Sequence, residues 1–181
     1  TLFRSLLSLN EACHEGLDLM ANLVNCLFKF RTNKFVIISD IAKAFLQIYL
    51  KANSHSNFNQ KNKFCFLWKN ENKLRVFQMN TLLFGLNCCP FILHCILNYH
   101  INSYPDCKAK KILQDAFYCD NFQHTTSDAS SLEPTFQSCL QIMNEGGFPL
   151  RGWCTNNSML QEIIKKEGLY SEHGQREEKF L

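Results

Sequence analysis

The chain has 181 residues, of which 46% are hydrophobic and 19% charged, and this length and composition suit one globular domain with its own core. No apolar run approaches the ~20 residues that cross a bilayer, and no repeat or low-complexity tract is visible, so neither a membrane-spanning helix nor a repeat architecture is predicted. A net charge of +3 says little about the partners.

The first third of the chain predicts a helix and two strands. Apolar residues at spacings of three and four predict a helix that runs to about Phe30. The β-branched run Phe35–Ile38 predicts a strand buried on both faces, which ends at Ser39-Asp40. Leu46–Leu50 is expected to be a second strand after a tight turn. The helical face comprises Leu17, Met20, Ala21, Val24, Leu27 and Phe28.

A hairpin and a helix are predicted in the middle of the chain. Residues 64–68 and 74–79 flank a polar stretch, which is typical of two strands joined by a longer loop. Pro90 suits the first turn of a helix, because its missing N–H has no helical partner there. The apolar face of that helix is expected to be Ile92, Cys95, Ile96 and Tyr99.

The last third predicts a hairpin, a helix and a strand. Asp120-Asn121 lies between residues 117–119 and 122–126 and suits a two-residue primed turn. Ser130 and Glu133 resemble the capping box of a helix that Gly146-Gly147 ends, and residues 148–153 suit a strand. The order of elements predicts an α+β fold, with an antiparallel sheet backed by helices on one face.

Three segments and a reducing environment are expected. Residues 1–33 form a helical lead-in, 34–157 the core, and 158–181 a polar, weakly ordered tail; the chain is expected to be a piece of a longer protein. The ten cysteines show neither the spacing of a disulfide framework nor a two-residue separation typical of zinc or redox motifs. We therefore predict an intracellular protein without structural zinc.

Two carboxylates are the candidates for chemistry. Asp40 and Asp120 each follow an apolar strand, where a carboxylate is desolvated unless a cation or hydrogen-bond donors compensate. Mg²⁺ favours one or two carboxylates with phosphates and waters, and two such ions about 3.5 to 4 Å apart support phosphoryl transfer. Alternatively, Asp40 caps a helix that begins at Ile41 and Asp120 is a turn residue. The residues alone leave both interpretations open.

Basic residues occur in two clusters. Each cluster could contact phosphates or could simply form a solvated face. The first comprises Lys61, Lys63, Lys69, Lys73 and Arg75, and the second Lys108, Lys110 and Lys111.

Four motifs follow one another along the chain, and the first two are 39–48, Ser-Asp-Ile-Ala-Lys-Ala-Phe-Leu-Gln-Ile, and 83–91, Leu-Phe-Gly-Leu-Asn-Cys-Cys-Pro-Phe. They resemble the first catalytic motif and the substrate-binding loop of the reverse transcriptases of Bel/Pao-type LTR retrotransposons. Tyr118-Cys119-Asp120-Asn121 resembles their Tyr-x-Asp-Asp hairpin, and 147–156 the segment that follows it. Residues 8–11, 30–31 and 66–68 are also similar to this group.

The resemblance implies a polymerase palm with partial fingers and RNA-directed DNA polymerase activity. Asp40 and Asp120 would hold Mg²⁺ or Mn²⁺, with Asn121 as a weak third ligand through its carbonyl oxygen. Tyr118 would lie beside the primer terminus, and Arg151 would approach the triphosphate or be an exposed strand residue.

The resemblance also implies nucleotide-binding side chains in the first two motifs. Phe45 would exclude a ribose 2′-hydroxyl or would be a core aromatic. Phe84 and Gly85 would form the floor under the nucleotide, with glycine allowing close backbone approach. The implied partners are an RNA or DNA template–primer, a deoxynucleoside triphosphate and the protease, ribonuclease H and integrase of the same Pol polyprotein. No membrane is involved, and the expected place is the cytoplasm or a virus-like particle.

Departures from the family pattern keep an alternative open. Asn121 stands where the family usually has a second Asp, Cys88-Cys89 replaces small residues before Pro90, and Leu82-Leu83 stands where Pro is common. The alternative is a non-catalytic relic or domesticated fragment that retains the fold and weak nucleic-acid binding. A phosphotransferase of unrelated fold that uses the same two Asp residues is the third hypothesis. The sequence leaves open whether this chain is an active enzyme.

Overall fold

The computed structural model describes residues 8–50, 65–70 and 73–170. Within them it contains six α-helices and two antiparallel sheets, which confirms the predicted α+β class. The helices are α1 Leu9–Ala12, α2 Leu23–Phe30, α3 Cys89–Ser103, α4 Lys108–Asp115, α5 Leu132–Glu145 and α6 Ser158–Lys166. The strands are β1 Phe35–Ile41, β2 Cys65–Asn70, β3 Lys73–Gln78, β4 Phe117–Tyr118, β5 Asn121–Thr126 and β6 Leu150–Thr155.

The chain forms two compact units, which do not follow the three predicted segments. The first unit comprises Thr1–Leu17 and Lys43–Leu93, and the second comprises Asp18–Ala42 and His94–Leu181. None of the helices in the described parts of the chain is both long enough and apolar enough to cross a membrane.

The second unit is built on a four-stranded sheet with the order β4-β5-β1-β6. Both neighbours of β1 run antiparallel to it. Along β1 the buried residues Ile37, Ser39 and Ile41 alternate with the part-exposed Ile38 and Asp40. The prediction of a strand buried on both faces is therefore wrong, because only one face of this central strand is fully covered.

The core of the second unit is organised around Trp153 on β6, which is completely buried. Its ring packs edge-to-face on Phe136 of α5, with centroids 4.7 Å apart, and on Phe122 of β5 at 5.6 Å. Its Nε1 donates a hydrogen bond to the carbonyl oxygen of Leu150, so the buried polar atom is satisfied. This cluster joins the sheet to α5 and keeps β6 in place.

The polar tail begins with a helix. Leu160 and Ile164 lie four residues apart on α6 and are buried. Asn157 caps the helix, its Oδ1 accepting a hydrogen bond from the Leu160 N–H at 2.9 Å. The expected weakly ordered tail is thus a packed helix over its first part, because two apolar residues on one face suffice to dock a short helix. Residues 171–181 lie outside the described residues.

Capping residues move two helix starts away from the predicted positions. The helix α2 begins at Leu23, because Asn22 accepts a hydrogen bond from the Asn25 N–H, so the predicted members Leu17 and Met20 precede it. The side chain of Asp128 accepts from the Ser130 N–H and starts a 3₁₀ turn before α5, so the predicted Ser130–Glu133 capping box is wrong. The end of α5 at Gly146, followed by Gly147 with φ of 75°, is as predicted.

The first unit confirms the hairpin but not the second strand. The predicted hairpin is the antiparallel pair β2-β3. The predicted strand Leu46–Leu50 is wrong, since Ala44–Gln47 is a 3₁₀ helix and only Tyr49 forms a bridge, to Thr81. Lys43, with φ of 54°, turns the chain out of β1 into this helix. A left-handed residue at that point interrupts the extended backbone that a second strand would need.

The helix around Pro90 forms as predicted, but it buries a different face. The buried side chains of α3 are Cys89, Leu93, His94, Leu97 and Ile101. Of the predicted face, Ile92, Cys95 and Ile96 are half-buried, and Tyr99 is 80% exposed.

Candidate functional site

The sheet brings Asp40 and Asp120 together. In the register of β1 and β5, Asp40 lies opposite Asn121, the residue that follows Asp120. The Ile41 N–H donates a hydrogen bond to the Asp120 carbonyl oxygen at 3.0 Å. Asp40 lies within β1, not at the start of a helix, so the alternative role as a helix cap is wrong. Two carboxylates from distant parts of the sequence therefore meet at one edge of the hairpin.

The hairpin turn is one residue earlier than predicted. Tyr118 pairs with Asn121, so the two turn residues are Cys119 and Asp120. Cys119 has φ of 55°, the positive angle that a primed turn requires at its first central residue. The prediction of Asp120-Asn121 as the turn is wrong, because Asn121 is the first residue of β5. Its side-chain Nδ2 lies 3.4 Å from Asp120 Oδ1, within reach of the same carboxylate.

Arg151 on β6 pairs directly with Asp40. Its Nε and Nη2 atoms both donate to Asp40 Oδ2, each at 3.2 Å. The Arg151 and Asp40 side chains are 59% and 36% exposed, so this ion pair contributes little to folding stability. Arg151 was predicted to approach the triphosphate or to be an exposed strand residue. In the structure its guanidinium contacts Asp40, a candidate metal ligand.

A β-bulge creates this pairing. Ile38 lies opposite Cys154 but Asp40 lies opposite Arg151, so β6 carries one extra residue between the two pairs. Gly152 supplies it, with φ of 62°. In a regular ladder Asp40 would face Gly152, and Arg151 would lie opposite Ile41 on the core side. This bulge was not predicted, although a glycine inside a predicted strand is its usual signal.

Negative charge is crowded at this point. Burial raises the pKa of the Asp40 carboxyl; the hydrogen bond from Arg151 opposes this, and the charge of Asp120 adds to it. Burial, with the Asp120 charge second, also raises the pKa of the Cys119 thiol. A bound cation would relieve the repulsion between the two carboxylates, which is the electrostatic condition for a metal site.

The chemistry of the donors fits magnesium or manganese. Asp40, Asp120 and the amide of Asn121 offer hard oxygen ligands, the type that Mg²⁺ binds together with water and substrate phosphates. Within the described ranges no group of three or more His, Cys, Asp or Glu side chains could hold a metal ion. The site thus offers two carboxylates, and the remaining coordination positions of a metal would be filled by oxygen atoms of Asn121, water or substrate phosphates.

A hollow of about 430 Å³ within the second unit adjoins Asp40 and Asn121, whereas Asp120 is not among the residues that line it. Asp40, Tyr118, Asn121 and Gly152 form one side of it, and apolar residues of α2, including Leu27, form another. The predicted site residues Tyr118 and Asn121 therefore face the same space as Asp40. Asp40 is the one carboxylate among the residues that line this space.

The remaining predicted residues lie in the first unit. The rings of Phe45 and Phe84 pack edge-to-face with centroids 5.3 Å apart. Gly85 has φ of 87°, and a Cβ added to it would meet nothing within 4 Å, so the backbone angle and not crowding explains the glycine. Asn10, which the sequence analysis gave no role, donates to the Gly85 carbonyl oxygen and accepts from the Asn87 N–H.

Comparison of the sequence with known protein families and with curated proteins found no match. The likeness of the four motifs to reverse transcriptases therefore stays a prediction, and the geometry of the site carries the functional argument.

Proposed function

We propose that this chain is the palm region of a reverse transcriptase, which extends a primer by nucleotidyl transfer. One observation carries the proposal. Asp40 lies opposite Asn121 on the neighbouring antiparallel strand, and the Ile41 N–H donates a hydrogen bond to the Asp120 carbonyl oxygen, so the two carboxylate residues adjoin. Paired carboxylates in that position, of which Asp40 lines a hollow together with Tyr118 and Asn121, are suited to divalent cations and a phosphorylated substrate.

Each residue has a role in this proposal. Asp40 and Asp120 hold the metal, and Asn121 adds a neutral oxygen ligand. Mg²⁺ or Mn²⁺ bound there would activate the primer 3′-hydroxyl and stabilise the leaving pyrophosphate. A metal bound to Asp40 would displace Arg151, whose guanidinium would then be free to pair with a phosphate. Tyr118 lies beside the primer terminus.

The first unit contributes nucleotide selection in the same proposal. Phe45 discriminates against the ribose 2′-hydroxyl, and Phe84, which packs against it, forms the floor with Gly85. The proposed partners are an RNA or DNA template–primer, deoxynucleoside triphosphates and the other parts of a Pol polyprotein. The proposed place is the cytoplasm or a virus-like particle.

A non-catalytic relic is the second candidate, and two observations favour it. Asn121 brings no charge to the metal site, and Arg151 already satisfies Asp40. A site in which a guanidinium permanently replaced the metal would keep the fold without the chemistry.

Primer extension on a homopolymer RNA template tests the proposal. The full-length protein should extend an annealed DNA primer with Mg²⁺ or Mn²⁺, and both Asp40→Asn and Asp120→Asn should reduce extension to background. Asp106→Asn is the matched control, because this carboxylate is 85% exposed and pairs with Lys110. Its extension should equal that of the wild type.

The outcomes separate the two candidates. Undiminished extension by Asp40→Asn would refute the proposed chemistry. No extension by a folded wild-type protein, with divalent binding also absent in electron paramagnetic resonance of Mn²⁺, would support the relic.

A further inference from the structure

The hairpin β2-β3 has two chemically different faces. Directly opposite residues share a face, and successive residues alternate between faces. The pairs Phe66–Phe77, Trp68–Arg75 and Asn70–Lys73 therefore lie on one side, which we call the aromatic–basic face. The pairs Cys65–Gln78, Leu67–Val76 and Lys69–Leu74 form the opposite side, which we call the aliphatic face.

The aromatic rings of the first face are open to solvent. Trp68 is 57% exposed, Phe66 45% and Phe77 42%. The rings of Phe66 and Phe77 are stacked, with centroids 5.6 Å apart and planes 19° from parallel. Large aromatic side chains normally gain stability by burial, so three exposed rings on one face indicate a surface for a flat apolar partner.

The same face is cationic. Arg75 lies opposite Trp68, and Lys73 lies at the end of the face that is nearer the turn. Neither strand contains Asp or Glu, so no acidic side chain of β2 or β3 neutralises these two cations, and Glu71, between the strands in sequence, lies outside the described residues. A partner of complementary charge would be an anion that also presents planar rings.

We propose that the aromatic–basic face binds single-stranded nucleic acid. Unpaired bases stack on Trp68 and on the Phe66–Phe77 pair, while Arg75 and Lys73 contact the phosphates between them. A duplex keeps its bases stacked on one another and so cannot offer them to the rings. This inference rests on the proposed function, whose template is nucleic acid, but it concerns a separate surface, because neither Asp40 nor Asp120 belongs to the hairpin.

A second copy of the chain fits this face less well. In a symmetric dimer the same patch lies on both sides of the interface. Arg75 and Lys73 of one copy would then approach the same cations of the partner, with no acid on either patch to separate them. A polyanionic strand satisfies both cations at once.

Fluorescence anisotropy with a labelled oligothymidylate or oligouridylate measures the binding. The wild type should bind the single strand more tightly than a duplex of the same length. Trp68→Ala should weaken binding roughly fivefold or more, which corresponds to the loss of one stacked base. Replacing Lys73 and Arg75 by Gln should weaken binding and make it less dependent on salt. Leu67→Ala is the matched control, since this residue is 62% exposed on the aliphatic face of the same strand.

Tryptophan fluorescence gives an independent readout of stacking. The chain has two tryptophans, and Trp153 is fully buried, so quenching by added oligonucleotide must come from Trp68. Trp68→Phe keeps an aromatic ring and should keep most of the affinity, but it should lose the quenching. The emission of Trp153 reports in every variant that the second unit is folded.

The proposal is overturned if Trp68→Ala binds as tightly as the wild type, or if duplex and single strand bind equally. Self-association that light scattering detects in the wild type and not in Trp68→Ala would instead assign the face to a second copy. Strand binding needs neither a divalent cation nor a primer, whereas primer extension needs both. A failure of primer extension and a failure of strand binding are therefore distinguishable.

Discussion

Arg151 holds Asp40 through two donors to a single oxygen, with Nε and Nη2 each 3.2 Å from Oδ2. The bulge at Gly152 sets this contact, because it turns Arg151 toward the face on which Asp40 lies. A metal ion that used Oδ2 would meet the guanidinium there. In the proposed site the arginine and the metal would therefore compete for one carboxylate, and this competition can be measured.

Arg151→Ala should raise the affinity of the protein for Mn²⁺ by up to about fivefold, because an exposed ion pair contributes at most ~1 kcal/mol. Titration followed by electron paramagnetic resonance measures the change. Lys165→Ala, which removes the exposed pair between Lys165 and Glu162, should leave the affinity unchanged. Weaker Mn²⁺ binding in Arg151→Ala would mean that the guanidinium assists the metal instead of replacing it.

Asn121→Asp should have opposite effects with and without metal. A third carboxylate would lie beside Asp120 and opposite Asp40, so in EDTA the free energy of unfolding in urea should fall by up to ~1 kcal/mol. With Mn²⁺ present the added charge should strengthen binding and reverse the loss. Asn98→Asp adds the same charge at an exposed position of α3 and should show no Mn²⁺ dependence. Equal behaviour of the two variants would contradict a metal site at Asn121.

The parts of the site that were predictable depend on local patterns. The apolar run Phe35–Ile38 predicted β1, and the polar residues between two apolar stretches predicted a hairpin around Asp120. These strands belong to one sheet, which is why the two carboxylates predicted from the sequence lie close together. The turn was off by one residue, since Cys119 was not an obvious candidate for a positive φ.

The unpredicted parts depend on tertiary register and capping. The contact between Arg151 and Asp40 exists only because one strand has an extra residue relative to its neighbour, and a single sequence does not specify that pairing. The helix α6 was missed because its burial rests on two residues, Leu160 and Ile164, in an otherwise polar segment. The face of α3 was wrong because its apolar residues surround the helix, so periodicity could not choose among them.

Gly152→Ala tests the bulge. The substitution strains a backbone with φ of 62° and should lower the free energy of unfolding by about 1 to 2 kcal/mol. Gly168→Ala is the matched control, because that residue has φ of 70° and open space around a Cβ. Both variants should lose similar stability in urea, and only Gly152→Ala should change Mn²⁺ affinity. An unchanged Mn²⁺ affinity in Gly152→Ala would show that the position of Arg151 does not depend on the bulge.

His94 on α3 makes stability depend on pH. It is 5% exposed, and its Nε2 has no hydrogen-bond partner among the described residues. Burial lowers the pKa of His94 below its ordinary value of 6.5, and the charge of Asp18 opposes this only in part. As the pH falls through 6.5, the unfolded chain takes up a proton before the folded protein does. Folding stability contributed by this residue is therefore present above that pH and is lost below it.

His94→Leu should consequently stabilise the protein more in acid than in base. At about pH 8 the gain is on the order of 1 kcal/mol, from removing a buried polar atom without a partner. The gain should grow toward about pH 5, where the wild-type unfolded state is protonated. His94→Gln separates the two effects, because it cannot titrate but keeps a buried polar group. It should remove the extra acid sensitivity without the gain in stability at pH 8.

His124 also contributes to the pH dependence, because burial, and after it the charge of Lys108, lowers its pKa. The folding stability of both variants should therefore still decrease somewhat as the pH falls. Urea unfolding across the pH range measures these differences, and a gain from His94→Leu that did not change with pH would contradict the titration of His94.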